Sequence, residues 1–298
     1  MGAFGGLHDL HRWWSPSLVS VACLAGLLDV VQDAFDLTEC GEIMLEANPG
    51  TIDRAYLSEV RFLGIDRLSI GAQSARDTEL SMLGRSHEWG DVKRVVDLAR
   101  ASGFERLSLD LLFGLPSQSL EDWSETLEAA LELNPEHLSL PGLTIEEGTL
   151  LAQRITVREL AAPEEALAAD MYELAEDVLA NAGFFHYEIS NWAKMDSGTP
   201  PWGYDWWPDD SASGHAPDKS EEISPYVCRH NLSYWPNKPW LGVGAGAHSW
   251  MPGRRSHPAS GLSSRSPLGE RWSNVGHPEA YVTQMGGVIL SISAGTSG

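Results

Sequence analysis

The sequence predicts an α/β fold built on parallel strands, and three observations predict it. Strands and helices alternate through the first half of the chain. The strand runs are short and apolar on both faces, the pattern of strands covered above and below in a parallel sheet. Most of the helices close on glycine, the residue that most easily supplies the left-handed end of a helix, as at Gly64, Gly103 and Gly183. Parallel strands need long crossovers, and helices provide them. The alternative is an open doubly wound sheet, which normally carries a Gly-rich phosphate loop after its first strand. The nearest candidate for that loop is Gly2-Ala3-Phe4-Gly5-Gly6, at the very start.

Taken in order, Leu18 to Val31 is mostly apolar, with Arg12 ahead of it, and resembles the core of a signal peptide. It is too short to span a bilayer, and Asp29 interrupts it. The pattern continues through Val31, Ala34 and Phe35 at helical spacing, and Ser15-Pro16 is a natural helix start. A buried amphipathic helix is expected. Glu42 to Ala47 then reads as a strand, stopped by Asn48-Pro49-Gly50. A helix follows over Ile52 to Leu63, a strand over Asp66 to Ile70, and an exit through Gly71-Ala72-Gln73-Ser74. A short helix near Asp77 to Leu83 precedes Gly84-Arg85-Ser86-His87, and a longer one runs from Glu88 to Ser102.

The central stretch is RLSLDLLFGLPSQ, from Arg106 to Gln118. It is an apolar strand carrying one carboxylate, Asp110, and it leaves through a Gly-Leu-Pro turn. The C-terminal ends of such strands are where α/β barrels keep their chemistry. An unpaired charge inside a strand is costly, so Asp110 should face a cavity or a partner. The alternative is a structural carboxylate held by neighbouring backbone amides. A helix over Leu120 to Leu133 and a strand over His137 to Leu143 complete this half.

The 298 residues suffice for one large domain or two smaller ones. Twenty basic residues against 42 acidic ones give a net charge of −22. That balance argues against a nucleic acid or an anionic membrane as the main partner. Cys23, Cys40 and Cys228 are too few and too scattered for a disulfide framework and lack close metal-ligand spacing, which fits a reducing cytoplasm.

Polar residues at the strand exits form a series: Glu46, Gln73, Asp110 and Thr144, with Arg85 in the loop after the short helix. If the strands close, these residues meet at one mouth. Carboxylates there would accept hydrogen bonds from an ammonium and from hydroxyls, and an arginine would grip a carboxylate. Taken singly, each residue is as well explained by ending a strand or capping a helix.

Beyond this half, Pro163 to Ala182 reads as an amphipathic helix and Phe184 to Ile189 as a strand. Residues between Trp192 and Tyr226 are rich in Pro, Gly, Ser, Asp and Trp without periodicity, an exposed insertion whose Trp202, Trp206 and Trp207 form a patch or a local cluster. Order is expected again at CRHNLSYW (Cys228 to Trp235) and LGVGAGAHSW (Leu241 to Trp250), and poor order from Pro252 onward. No internal repeat is evident.

LEANPGT (Leu45 to Thr51), RLSIGAQS (Arg67 to Ser74), LGRSH (Leu83 to His87) and SLDLLFGLPSQ (Ser108 to Gln118) occur in an order and spacing that resemble a known family. NPEHLSLPGLTIEEGT (Asn134 to Thr149), HYEISNWA, CRHNLSYW and GVGAGAHSW extend the likeness over roughly residues 42 to 250, apart from the insertion. The sequence resembles the HemW proteins, haem chaperones of the radical S-adenosylmethionine (SAM) superfamily and relatives of oxygen-independent coproporphyrinogen III oxidase. The resemblance implies a partial (β/α)6 barrel of the radical-SAM type, truncated at its N-terminal strand, with a C-terminal extension. Its expected parts are residues 1–157, the barrel; 158–192, a helix and strand closing it; 193–227, the insertion; 228–250, the HNxxYW and GAGAHSW segment; and 251–298, the tail.

By matching motif, Glu46, Gln73, Arg85 and Asp110 fall on SAM-contacting positions, Thr144 on a further contact through its backbone, and Gly5 and Gly6 on a glycine-rich loop near the methionine end. The family also holds a [4Fe–4S] cluster on a Cys-x3-Cys-x2-Cys loop. This sequence has no such triplet, and its end departs from the family's C-terminal domain. It therefore reads as a piece or a degenerate copy, with no SAM cleavage expected of the chain as given. The HNxxYW pattern is associated with haem in the family, which points to His230 as axial ligand with Tyr234 and Trp235 packed on the macrocycle. His230 and His248 are otherwise plain structural histidines, and a zinc site from His186, Cys228, His230 and His248 fits no structural class. The expected function is haem binding and delivery. The alternatives are a coproporphyrinogen III oxidase-like enzyme and an inactive fragment.

Overall fold

The computed structural model describes residues 16–35, 41–196, 224–235, 238–252 and 269–285. A 3₁₀ turn at Pro16–Leu18 leads into α1 (Val21–Ala34), then β1 (Met44–Ala47), α2 (Arg54–Phe62), β2 (Arg67–Gln73), α3 (Asp77–Met82), α4 (Trp89–Ala101) and β3 (Arg106–Leu111). There follow α5 (Leu120–Glu132), β4 (His137–Ser139), α6 (Leu150–Thr156), α7 (Glu165–Asn181), β5 (Phe184–Glu188), β6 (Asn191–Lys194), α8 (Arg229–Tyr234), β7 (His248–Met251) and β8 (Glu270–Ser273).

Local chemistry sets most of these boundaries. Asp53 caps α2 by accepting from the Tyr56 amide at 2.9 Å. Ser119 and Asp122 form a reciprocal capping box on α5. Gly64, Gly103 and Gly183 take positive φ just beyond α2, α4 and α7, as the closing-glycine reading required. The unanticipated α6 starts at Thr149, whose side chain accepts from the Ala152 amide at 3.2 Å.

The main sheet has the order β1-β2-β3-β4-β6-β5. Its first four strands are parallel, as the alternation predicts, while β6 runs antiparallel to both β4 and β5. The sheet is therefore mostly parallel, and an antiparallel hairpin stands where a run of parallel β/α units was implied. The cause is local: only Ile189 and Ser190 separate β5 from β6, too few for a crossover. Ala193 and Lys194 consequently belong to a strand, not to the insertion.

Two other expectations need correction. The helix over residues 18–31 exists but starts later, at Val21 behind a Ser20 cap, and it is not buried. Val21 and Leu24 reach the core, whereas Leu27 and Val30 remain 52% and 65% exposed. The chain after Pro252 also contains regular structure, because β8 pairs with β7. The chain divides into two compact units, residues 1–229 and 230–298. Of the insertion's tryptophans, Trp202, Trp206 and Trp207 lie outside the described residues.

The apolar core fills the space between the sheet and its helices. Leu68, Ile70, Leu107, Leu109, Leu127 and Leu138 are all fully buried there. The opposite parity of β2, β3 and β4 is polar, so these strands are not apolar on both faces. At its N-terminal end this polar face is charge-balanced. The Arg67 side chain is 0% exposed and donates from Nε to Glu42 Oε2 at 2.6 Å. Its Nη2 also reaches the carbonyls of Tyr226 and Val227, at 3.1 and 3.0 Å, so segment 225–228 is tied to the sheet. Glu42 in turn accepts from the Arg229 amide at 3.1 Å.

Removing one partner of a buried ion pair leaves the other charge uncompensated. Arg67→Ala is expected to destabilise the protein by about 3–5 kcal/mol. Urea unfolding checks this; a midpoint unchanged from the parent would show that the pair holds nothing.

Candidate functional site

The polar face is built by strand parity. Glu46 on β1, Arg67 and Ser69 on β2, Arg106, Ser108 and Asp110 on β3, and His137 and Ser139 on β4 alternate with core residues. Register sets Glu46 beside Ser69, Ser69 beside Ser108, and Asp110 beside Ser139. Glu46 on β1 and Asp110 on β3 therefore share one face near the C-terminal ends of parallel strands, with β2 and its Ser69 between them, as the strand-exit reading required.

Asp110 is held by hydroxyls, not by backbone amides. Ser69 Oγ lies 2.8 and 3.0 Å from its two carboxylate oxygens, and Ser108 Oγ lies 3.4 Å from Oδ1. Burial pushes the Asp110 carboxyl up to about 7. The Ser69 hydroxyl works against that rise, the negative charge of Glu46 adds to it, and Ser108 opposes it more weakly. The result is a carboxyl poised between its two forms at neutral pH, with a second carboxylate two strands away whose charge acts on it. Such a pair favours a cation.

Gln73 ends β2 with a φ of 65°, inside the left-handed region that a non-glycine residue seldom occupies. A register shift between Ile70 and Gln73 puts it opposite Leu111, and its carbonyl accepts from the Leu112 amide at 2.8 Å. The strand thus runs three residues past its expected end at Ile70. Buried His87 secures the bulge: its Nε2 lies 3.3 Å from the Ala72 carbonyl, which also accepts from the Ser74 amide at 2.9 Å. Burial lowers the His87 pKa, which keeps its ring neutral in this position. A Cβ on Gly71 would stand 2.9 Å from Gln73 Nε2, so the missing side chain leaves the space that the Gln73 amide fills.

Arg85 is exposed in the loop two residues before His87, close enough for its charge to depress that histidine further. Thr144 is exposed in the segment after β4, just beyond the Phe113–Gly142 bridge that extends the parallel pairing. Glu46, Gln73 and Asp110 are thus joined by register and hydrogen bonding. Arg85 is linked to them through His87 and Ala72, and Thr144 has only its place after β4. Gly5 and Gly6 lie outside the described residues.

Several functional groups went unread in the sequence. Ser69, Ser108 and His137 all face the same way as Asp110, and Tyr187 on β5 meets His137 with Oη 2.8 Å from Nε2. The signal was present: Arg-Leu-Ser-Ile, Arg-Leu-Ser-Leu and His-Leu-Ser-Leu open β2, β3 and β4 with the same alternation. Glu79 on α3 is a second case. Buried, with its pKa raised by burial, it accepts from Ser74 Oγ at 2.6 Å and Gln118 Nε2 at 3.3 Å, linking the exits of β2 and β3.

The second unit carries the expected haem residues. α8 presents His230 and Tyr234 one helical turn apart, both exposed, with ring centroids 5.2 Å apart edge to face and Tyr234 Oη 3.2 Å from His230 Nε2. Trp235 follows directly and is partly buried. Tyr234 also packs edge-on against Trp240, at 4.9 Å. His248 sits exposed on β7. Among the described residues no three His, Cys, Asp or Glu side chains cluster as a metal site. Cys23 is exposed on α1, and Cys228 is buried beside Glu42 and Met44, so the described cysteines do not fit a [4Fe–4S] cluster. No helix among the described residues is long and apolar enough to cross a membrane.

Comparison with known proteins places this geometry. Residues 25–130 match the family model of the radical SAM superfamily. The heme chaperone HemW of Mycobacterium tuberculosis is 34% identical over 279 residues, covering 94% of this chain and 60% of the relative. HemW of Escherichia coli is 36% identical over 234 residues, 78% of this chain and 53% of the relative. The chain thus spans 53–60% of the length of these curated relatives. Among solved structures, the coproporphyrinogen III oxidase HemN of Escherichia coli, a radical SAM enzyme, superposes with a TM-score of 0.56 at 26% identity. That likeness covers 62% of this chain and 42% of the oxidase. With its mostly parallel sheet, the Glu46–Ser69–Asp110 group at the strand ends and these matches together, the chain is similar to the HemW and HemN proteins of the radical SAM superfamily.

Proposed function

We propose that the chain is a haem-binding, haem-delivering protein on a radical SAM scaffold, acting in the cytoplasm. The observation that carries the haem half is the exposed His230–Tyr234 turn of α8, in a chain whose relatives are named heme chaperones. An exposed neutral imidazole is an ordinary axial ligand for haem iron, and Tyr234 and Trp235 offer ring faces for the macrocycle.

The scaffold half is a SAM site at the ends of β1, β2 and β3. SAM brings a sulfonium, an ammonium, a carboxylate and ribose hydroxyls. Glu46 and Asp110 suit the cationic and hydroxyl groups, the Gln73 amide can both donate and accept, and Arg85 suits the carboxylate. Thr144 would add a backbone contact, and Gly5 and Gly6 would approach the methionine end. The Gln73 amide seated against Gly71 and the carboxylate pair support this fit. Reductive cleavage of SAM needs a cluster that the cysteines present do not fit, so binding is the role assigned to this rim. The likeness to the oxidase HemN favours a second reading, an enzyme acting on a porphyrinogen, which would require that cluster.

Three outcomes are expected. Haem titrated into the chain gives a shifted Soret band that is lost in His230→Ala; an unshifted band in the parent would refute haem binding. SAM affinity, measured by calorimetry, rises with pH through about 7, because the cation binds the ionised form of Asp110. Below that pH, binding releases about one proton and affinity falls toward tenfold per unit, while above it the dependence flattens. A flat profile from pH 5.5 to 8.5 would remove Asp110 from the site. Finally, Gly71→Ala displaces the Gln73 amide and weakens SAM binding about tenfold, roughly 1.4 kcal/mol. Unaltered affinity would show that this amide makes no contact.

A further inference from the structure

Asp110 is one end of a continuous line of hydrogen bonds that leaves the candidate ligand site through the sheet. Its Oδ1 lies 3.4 Å from Ser108 Oγ, Ser108 Oγ lies 2.7 Å from His137 Nδ1, and His137 Nε2 lies 2.8 Å from Tyr187 Oη. Ser108 and His137 are 2% and 1% exposed, so neither exchanges protons with water directly. Tyr187, on edge strand β5, is only partly buried. We propose that this line is a proton path, in which the charge state of Asp110 sets the tautomer of His137 and a proton leaving the ligand site exits at Tyr187.

The donors and acceptors permit two complete arrangements. With Asp110 protonated, its O–H donates to Ser108 Oγ, the Ser108 hydroxyl donates to His137 Nδ1, and His137 Nε2–H donates to Tyr187 Oη. Ser69 donates to the other carboxylate oxygen throughout. With Asp110 ionised every bond reverses: Ser108 donates to the carboxylate, His137 Nδ1–H donates to Ser108, and Tyr187 donates to Nε2. Passing from the first to the second, Asp110 gives up one proton, Ser108, His137 and Tyr187 each receive one and hand one on, and the proton handed on by Tyr187 goes to water. His137 changes tautomer and never carries a charge.

The surroundings favour this over protonation of the ring. Burial lowers the His137 pKa well below the ordinary imidazole value, and the positive charge of Arg67 on β2 lowers it further. Facing Asp110 are Glu46 on β1, Ser69 on β2 and Ser108 on its own strand, with no cation among the described groups that set its pKa. A relay of neutral groups lets a partly buried carboxyl gain or lose its proton without leaving a charge stranded in the sheet. The inference rests on the ligand-site reading only for its physiological trigger, a cation that displaces the Asp110 proton.

The test is a long-range ¹H–¹⁵N histidine spectrum of the full chain from pH 5.5 to 8.5, with Asp110 followed by its ¹³C carboxyl shift. His137 is expected to stay neutral and to change from the Nε2–H to the Nδ1–H tautomer at the Asp110 midpoint. Asp110→Asn, whose amide donates to Ser108 at every pH, holds the Nε2–H form throughout. Ser108→Ala cuts the line: Asp110 still titrates and His137 no longer follows. A single tautomer at all pH values, an imidazolium at low pH, or a switch that survives in Ser108→Ala would each overturn the path. SAM added at pH 6.5 should drive the Nδ1–H form. If SAM fails to bind while the pH-driven switch is seen, the cofactor reading falls and the relay stands.

Discussion

The polar face of the sheet is held to one constraint: a charge lifted out of water must meet its opposite or be neutralised, as a carboxylate is by keeping its proton. At the N-terminal end of the strands the first solution applies. Arg67 meets Glu42, Arg106 meets Asp66, and Glu42 and Arg67 go on to bind the chain at 225–229. At the C-terminal end the second applies. Glu46 and Asp110 lie on β1 and β3, either side of β2 and its Ser69 hydroxyl, and Asp110 keeps its proton up to about pH 7. One end of the face is closed by matched charges, and the other is left wanting a cation.

This asymmetry follows from parallel pairing. All four parallel strands point their C-terminal ends the same way, so residues at equivalent positions gather at one end. The loops there are fixed by buried polar groups: His87 on the Ala72 carbonyl, and Glu79 between Ser74 and Gln118. Gln73 adopts its left-handed backbone because these contacts and the Leu112 amide over-determine it. The antiparallel β5–β6 hairpin supplies what a further parallel unit would not, an edge strand carrying Tyr187 to His137. The second unit answers a different need, with an exposed imidazole and ring edges set in a one-turn helix.

Much of the fold could be read directly. Closing glycines at 64, 103 and 183, the Asp53 cap and the Ser119–Asp122 box are signals confined to a few adjacent residues, and the helices they bound fell within a residue or two of expectation. Where the answer depended on distant neighbours, reading failed. The helix α1 has the expected period, but nothing along the chain tells whether Leu27 and Val30 find cover. Gly71 and Gln73 look like an exit from a strand, and only pairing with β3 keeps them inside it. The alternating Arg-Leu-Ser pattern lies in the sequence, yet its apolar half alone reads as a strand covered on both sides, and only the structure shows its polar half facing the other way.

The sequence by itself determined the α/β class, the order of strands and helices, and the family likeness, because periodicity, caps and linked motifs are carried by neighbouring residues. It also named Glu46, Gln73 and Asp110 as chemistry at strand ends. Tertiary structure decided what those groups are. Register placed Ser69 and Ser108 against Asp110, burial withheld its charge, and the hairpin brought Tyr187 to the far side of His137. The physical reason is range: propensity acts over a few residues, whereas desolvation and hydrogen bonding depend on which strands lie side by side.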